Sequence, residues 1–129
     1  MESTELLNRD VIEKMLSKNS IECISQLLVL KEIDSTNSRV IKELKIGKGP
    51  VVVCVCEKQT VGKGRMGRVW HSPFSSNIYL SVSWKYPIHH TKLNGFSLAI
   101  GVIVLESLAA FGYVDLELKW PNDILADGA

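Results

Sequence analysis

A run of six residues over Val51–Cys56, Val-Val-Val-Cys-Val-Cys, limits the fold more than any other feature of this chain. It contains no polar residue on either face, which is typical of a β-strand covered on both sides. Two further segments alternate between apolar and polar residues. Asn77–Trp84 is predicted to be a half-buried strand, and Val114–Trp120 repeats the pattern up to a proline. Leu27–Ile33 is a fourth apolar strand candidate.

Helical patterns lie between these strands. Arg9–Lys18 has an amphipathic stripe with Asn8 as a predicted N-cap, and the polar run Asp34–Asn37 is predicted to start a short helix. Asn94–Phe111 is predicted to be a long helix with Gly112 at its C-terminal cap. The inward residues expected on this last helix are Phe96, Ile100, Ile103, Val104 and Leu108. The order αβαββαβ indicates a layered α/β or α+β domain.

Composition excludes several classes of protein. Fifteen Lys and Arg residues balance fourteen Asp and Glu residues, so a strongly basic nucleic-acid-binding surface is not expected. The N-terminus lacks the apolar core of a signal peptide, and the longest apolar stretch contains Glu106 and is too short to span a membrane. The three cysteines, Cys23, Cys54 and Cys56, are predicted to be reduced, buried structural thiols of a cytosolic protein.

The segment Gln59–Trp70 carries the most suggestive chemistry. Three glycines permit close backbone approach, and Lys63, Arg65 and Arg68 place three cations within six residues. Backbone N–H groups and cations together favour an anion, and phosphate is the obvious candidate. The spacing matches neither a P-loop nor a dinucleotide-binding fingerprint. There are two alternatives to a phosphate-binding role. The segment could be a solvated glycine-rich loop anchored by Trp70, or a basic loop that binds nucleic acid.

Two other polar segments are less specific. Ser35-Thr36-Asn37 could bind a ligand or simply cap a helix. Trp120-Pro121-Asn122-Asp123 could present an amide and a carboxylate at a strand end, or form an Asx turn. His71, His89 and His90 have no metal-ligand spacing and are expected on the surface or in loops.

Four segments, which occur in the family's order and spacing, resemble the catalytic domain of biotin protein ligases (biotin–acetyl-CoA-carboxylase ligases). They are Asp34–Asn37, Glu57–Trp70, Ser72–Phe74 with Asn77–Ser81, and Lys119–Asp123. The resemblance covers about residues 27 to 125. It implies an α+β fold in which helices pack on a mixed β-sheet, like that of class II synthetases.

The resemblance also implies a reaction. Biotin and ATP, accompanied by Mg²⁺, form biotinyl-5′-adenylate, and the biotinyl group passes to a lysine of a biotin carboxyl carrier protein, an acetyl-CoA carboxylase subunit. The implied biotin-binding residues are Ser35, Thr36, Asn37, Gln59, Lys63, Gly64 and Arg65. The implied nucleotide-binding residues are Arg65, Arg68, Trp70, Asn122 and Asp123. Arg65 and Lys63 are the implied catalytic residues, and no residue is assigned as a direct metal ligand.

Some features depart from the family pattern. Lys63 stands where the family often has arginine, so the charge is kept but a planar bidentate contact is lost. Residues 1–129 are expected to form a partial catalytic domain without an N-terminal helix-turn-helix or a C-terminal barrel. We expect a cytoplasmic protein that binds neither nucleic acid nor membrane, with a homodimer as a further option. The alternatives are an inactive remnant that binds weakly or needs a partner to fold, and a lipoate ligase relative.

Overall fold

The computed structural model describes residues 6–85, 95–121 and 123–127. The chain divides into two compact units, Met1–Tyr86 and Pro87–Ala129. In chain order the first unit contains α1 (Arg9–Met15), α2 (Lys18–Cys23), β1 (Gln26–Leu30), α3 (Thr36–Lys45), β2 (Val51–Cys56), a 3₁₀ turn (Arg65–Gly67) and β3 (Tyr79–Trp84). The second contains α4 (Phe96–Ala110), β4 (Leu116–Lys119) and β5 (Asp123–Ala126). Within the described ranges, no helix has the length and apolar character needed to cross a bilayer.

The first unit begins with two short helices where the sequence predicts one. Asn8 caps α1 as predicted, since its side chain accepts hydrogen bonds from the backbone N–H groups of Asp10 and Val11. The helix ends at Met15 because the chain becomes extended at Leu16. Ser17 then caps α2 by accepting a hydrogen bond from the N–H of Ser20. The predicted helix over Arg9–Lys18 is therefore shortened to Arg9–Met15, and the serine near its predicted end caps a second helix that the sequence analysis did not predict.

A mixed three-stranded sheet forms the centre of this unit, in the order β1-β2-β3. β1 is parallel to β2, with Leu28 opposite Cys54, and β3 is antiparallel to β2, with Ser81 opposite the same cysteine. β1 is shorter than predicted, since it ends at Leu30. Ile33 forms only an isolated bridge with Gln59.

Helix α3 covers one face of the sheet. Val40 of α3 packs with Val52 and Cys54 of β2 in a fully buried cluster. Leu28, Leu30 and Leu44 pack around this cluster. On this face the side chains of β2 are completely buried, which confirms the predicted coverage for one of the two sides of the strand.

The opposite face of the sheet is more open. An apolar groove of about 570 Å³ runs along it, lined by residues of α1, α2 and all three strands. On β3 the alternation is as predicted, yet the polar side chains are the better buried ones. Tyr79 is buried and Ser81 half-buried against the α3 side, whereas Leu80 and Val82 are exposed along the groove.

The second unit consists of α4 and an antiparallel hairpin of β4 and β5. Gly112 follows α4 with a φ of 90°, which confirms its predicted place at the helix end. The predicted burial of one face of α4 is wrong, because in the described part of this unit only the short hairpin packs against the helix and none of its residues is buried. Ile100 and Val104 line a small cleft with Ile124 of β5, yet both are exposed, as are Phe96 and Ile103. The predicted strand over Val114–Trp120 is shortened to Leu116–Lys119.

Candidate active site

Ser35 and Thr36 begin α3 at the edge of the sheet. Ser35 is the N-cap, and its Oγ accepts a 3.3 Å hydrogen bond from the N–H of Ser38. The N–H of Ser35 is itself bound to Asp34 Oδ1 at 2.7 Å. The helix-cap interpretation is therefore correct for Ser35. Asn37 lies exposed on the first turn of the helix.

Thr36, only 3% exposed, joins this cap to the loop after β2. Gln59 Oε1 accepts hydrogen bonds from the Thr36 backbone N–H at 2.9 Å and from Thr36 Oγ1 at 3.1 Å. Because the Thr36 N–H can only donate, the Gln59 atom facing it must be the carbonyl oxygen, which determines the orientation of the amide. The structure thus brings together two predicted biotin-binding residues that are 23 positions apart.

Ser81 of β3 completes a polar cluster of Thr36, Gln59 and Ser81. Its Oγ lies 2.8 Å from Thr36 Oγ1. Thr36 has a single hydroxyl proton, already donated to Gln59, so Ser81 must be the donor in this contact. The Ser81 oxygen keeps its lone pairs, and Gln59 Nε2 has two protons. The cluster therefore offers both acceptors and a donor in fixed positions.

Beyond Gln59 the chain forms a projecting hairpin over Gly62–Trp70, called the tongue here. Its two sides are joined by the N–H of Trp70 donating to Gly62 O at 3.1 Å and the N–H of Gly64 donating to Arg68 O at 2.8 Å. The 3₁₀ turn forms its tip, where Met66 has a φ of 57°. A Cβ at position 64 would lie 3.5 Å from the Trp70 ring, an ordinary van der Waals contact, so the indole lies against this side of the hairpin.

The predicted cations all lie on the tongue. Lys63, Arg65 and Arg68 are exposed, and Met66 at the tip is 96% exposed. Trp70 is also largely exposed at the end of the hairpin. A projecting hairpin with three cations and backbone N–H groups is well suited to an anionic ligand that arrives from solvent. The structure thus places the three predicted cations on one exposed hairpin, and anion binding by this hairpin stays a prediction.

The base of the tongue is anchored on both sides. On the outgoing side, the N–H groups of Thr60 and Val61 donate to Ile33 O and Asp34 O, both at 2.9 Å. On the returning side, the Ser75 N–H donates to Glu57 O at 3.0 Å. Glu57 is 5% exposed, and its carboxylate accepts a hydrogen bond from the Leu7 N–H. These bonds hold the base of the tongue against the ends of β1 and β2.

The cysteines have no place in this chemistry. All three are free, and Cys54 and Cys56 are buried as predicted, whereas Cys23 is exposed, so its predicted burial is wrong. Burial, and to a lesser degree the Cys56 thiol, raises the pKa of Cys54 to about 11, and burial also raises the pKa of Cys56. A neutral buried thiol is a poor nucleophile, so Cys54 and Cys56 are structural residues.

The remaining predicted site residues lie in the second unit. Asp123 is exposed at the start of β5, and Asn122 is outside the described residues. Trp120 and Pro121 precede them and are joined by a cis peptide bond. In the parts of the chain that the structure describes, no three His, Cys, Asp or Glu side chains are grouped as a metal site. His71 is exposed as expected, and His89 and His90 lie outside the described residues.

The sequence analysis assigned no role to three polar residues at the site: the buried Glu57 and Ser72, and the half-buried Ser81. Ser81 could have been noticed from the alternation of β3, since it shares a face with the buried Tyr79. Ser72, 8% exposed, and Glu57 show no signal in the sequence beyond their position within the quoted segments.

Comparison with known proteins identifies the class of this fold and site. The family model described as "Biotin/lipoate A/B protein ligase family" matches residues 29–129, and the chain belongs to this family. Among curated relatives, the Bifunctional ligase/repressor BirA of Salmonella typhimurium is 38% identical over 126 residues. This match covers 95% of the chain and 36% of the relative, so the chain spans about a third of that protein's length.

Solved structures agree with this assignment. The biotin protein ligase from Leishmania major in complex with biotinyl-5-AMP matches with a TM-score of 0.65 and 27% identity, covering 80% of this chain and 48% of that one. The biotin protein ligase from Aquifex aeolicus in complex with biotin and ATP matches with a TM-score of 0.64 and 35% identity, covering 77% of this chain and 40% of that one. The predicted α+β class, a mixed sheet with helices packed on it, is confirmed.

Proposed function

We propose that this chain carries the biotin- and phosphate-binding part of an ATP-dependent biotin protein ligase. The observation that carries the proposal is the polar cluster of Thr36, Gln59 and Ser81 at the base of the cationic tongue. The matched solved structures include complexes with biotin and ATP and with biotinyl-5-AMP, which supports the same substrates.

The vitamin side of the site uses fixed hydrogen-bonding groups. A ureido ring has two N–H donors and one carbonyl acceptor, so it needs acceptors and a donor held in place. Ser81 and Thr36 supply hydroxyl oxygens, and Gln59 Nε2 supplies the proton that it does not donate to Ser72. Ser35 supports this arrangement through the helix cap, and the exposed Asn37 is proposed to contact the vitamin from the first turn of α3.

The tongue provides the electrostatic component. In the first step, a biotin carboxylate oxygen attacks the α-phosphorus of ATP and pyrophosphate leaves. Arg65 and Lys63 are proposed to stabilise the negative charge that develops on the phosphate, with Arg68 contributing further positive charge. Gly64 is proposed to allow close backbone approach to the ligand, and Trp70 is proposed to stack on the adenine.

In the second step, a lysine amine of the carrier protein attacks the acyl carbon of the adenylate and AMP leaves. The mixed anhydride is prone to hydrolysis, so the site must exclude water between the two steps. A tongue anchored at its base and exposed at its tip is suited to fold over the adenylate.

Mg²⁺ is proposed to enter with ATP. Magnesium bound to nucleotides commonly uses one or two carboxylates together with phosphate oxygens and water, so a preformed cluster of protein ligands is not required. The exposed Asp123 is a carboxylate of this kind, and Asn122 is proposed to assist in placing the nucleotide. The absence of a three-ligand cluster among the described residues is compatible with this arrangement.

The proposed protein substrate is a biotin carboxyl carrier protein of acetyl-CoA carboxylase. We also propose that the chain works in the cytoplasm, where its three free cysteines would stay reduced. A homodimer, and the expected lack of nucleic-acid and membrane binding, stay predictions for solution measurements.

A transfer assay tests the function. The purified chain is incubated with biotin, ATP, Mg²⁺ and a carrier domain, and the carrier is analysed by mass spectrometry. One added biotinyl group is expected, which should disappear without ATP or when the carrier's acceptor lysine is replaced by arginine. No gain at high enzyme concentration would refute catalysis by this chain. Calorimetry with biotin would then show whether the proposed binding function also fails.

A further inference from the structure

We infer that Ser72 is a positioning residue that fixes the Gln59 amide for the vitamin and ties it to the tongue. The inference rests on the proposed function and adds a residue to it. Ser72 lies two positions after the tongue, and its side chain is almost entirely buried. Its Oγ accepts a hydrogen bond from Gln59 Nε2 at 3.3 Å and donates one to Trp70 O at 3.5 Å.

The direction of these bonds follows from the number of available protons. Gln59 Oε1 faces two donors of Thr36, so its Nε2 must point away from Thr36, towards Ser72. Ser72 accepts that bond and has one proton of its own to donate, which goes to the Trp70 carbonyl. A single directed chain of hydrogen bonds therefore runs from Ser81 through Thr36, Gln59 and Ser72 to the tongue.

The close approach at Gly62 supports the same arrangement independently. A Cβ at position 62 would lie 2.9 Å from Trp70 O, 3.1 Å from Ser72 Oγ and 3.2 Å from Gln59 Nε2. The Trp70 carbonyl, the Ser72 hydroxyl and the Gln59 amide, which are linked by these hydrogen bonds, thus all lie around one glycine at the base of the tongue. Without the Ser72 hydroxyl, Gln59 Oε1 would keep its two bonds from Thr36, but Nε2 would lose its partner and with it the link to the tongue.

The first test needs no ligand. The side-chain amide of Gln59 is followed by NMR in the ¹⁵N-labelled chain and assigned through the loss of its signals in Gln59→Glu. We expect these amide protons to exchange slowly in the unmodified protein, and about threefold to tenfold faster in Ser72→Ala, the factor that one hydrogen bond provides. Exchange as fast as that of a solvent-exposed glutamine in the unmodified protein would overturn the inference, whether or not Ser72→Ala folds.

The second test measures biotin dissociation constants for three variants. Ser72→Ala should weaken biotin binding about threefold to tenfold, and Ser72→Thr, which keeps the hydroxyl, should restore it. Ser83→Ala is the matched control, because Ser83 Oγ also donates to a backbone carbonyl, that of Val52 at 3.4 Å, outside the cluster. Equal binding by Ser72→Ala and Ser83→Ala would overturn the inference.

The two proposals can fail separately. If the unmodified chain binds no biotin, the proposed function fails, and the exchange of the Gln59 amide alone decides the role of Ser72. If the unmodified chain binds biotin and Ser72→Ala binds it equally well at unchanged thermal stability, only the role of Ser72 fails.

Discussion

Replacing Thr36 with valine isolates the hydroxyl at the centre of the polar cluster. Valine keeps the branched shape and the backbone N–H, so the 2.9 Å bond from that N–H to Gln59 remains. The substitution removes the 3.1 Å bond to Gln59 and the acceptor of the 2.8 Å bond from Ser81. Because position 36 is buried, water cannot easily replace either bond.

The expected loss follows from these two bonds. Each hydrogen bond contributes about 0.5–1.5 kcal/mol, so Thr36→Val should lower the free energy of unfolding by roughly 1–3 kcal/mol. Urea unfolding followed by circular dichroism measures this as a lower midpoint at an unchanged slope. Biotin binding should weaken in parallel, since Ser81 loses the partner that orients it.

Thr60→Val provides the matched control. Thr60 is exposed, and its Oγ1 makes only a 3.4 Å bond to Ile33 O, so the change should stay within about 0.5 kcal/mol. If Thr36→Val unfolds at the same urea concentration as Thr60→Val, the reasoning from the buried cluster is refuted.

Three further predictions concern the tongue and the thiols. Arg65→Ala should weaken retention of biotinyl-5′-adenylate more than binding of biotin alone, as measured by calorimetry with both ligands, and an equal loss for both would make Arg65 structural. Gly62→Ala would place a Cβ 2.9 Å from Trp70 O, so the hairpin must shift, and adenylate binding should fall about tenfold or more; unchanged binding would show that the tongue tolerates the shift. Iodoacetamide should label only Cys23 in the native protein at pH 8, because the reactive form of a cysteine is the thiolate. Burial raises the pKa of Cys54 to about 11, so the Cys54 thiol stays neutral until the pH nears that value. Mass spectrometry counts the adducts, and rapid native labelling of Cys54 at pH 8 would contradict the burial argument.

Local sequence patterns were sufficient to predict most elements of the fold. The apolar run of β2, the Asn8 cap of α1 and the glycine after α4 depend on interactions within a few residues, and each lies where it was predicted. Errors arose where a local competitor was present, as at Ser17, whose side chain caps a second helix that begins where the predicted first one was expected to end. Burial was harder to predict, since Leu80 is exposed while the polar side of β3 packs inward.

The groups available to the site can be predicted from local sequence: a capped polar turn, a glycine-rich cationic loop and the order of the segments. That four of these side chains share one directed series of hydrogen bonds becomes visible only in the folded protein. They are Thr36, Gln59, Ser72 and Ser81, with 45 positions between the first and the last. Hydrogen bonds between residues so far apart depend on strand register and on the path of the backbone, which local patterns do not encode. The pairing of Ser81 with Cys54 is a property of the folded sheet, and no local pattern encodes it.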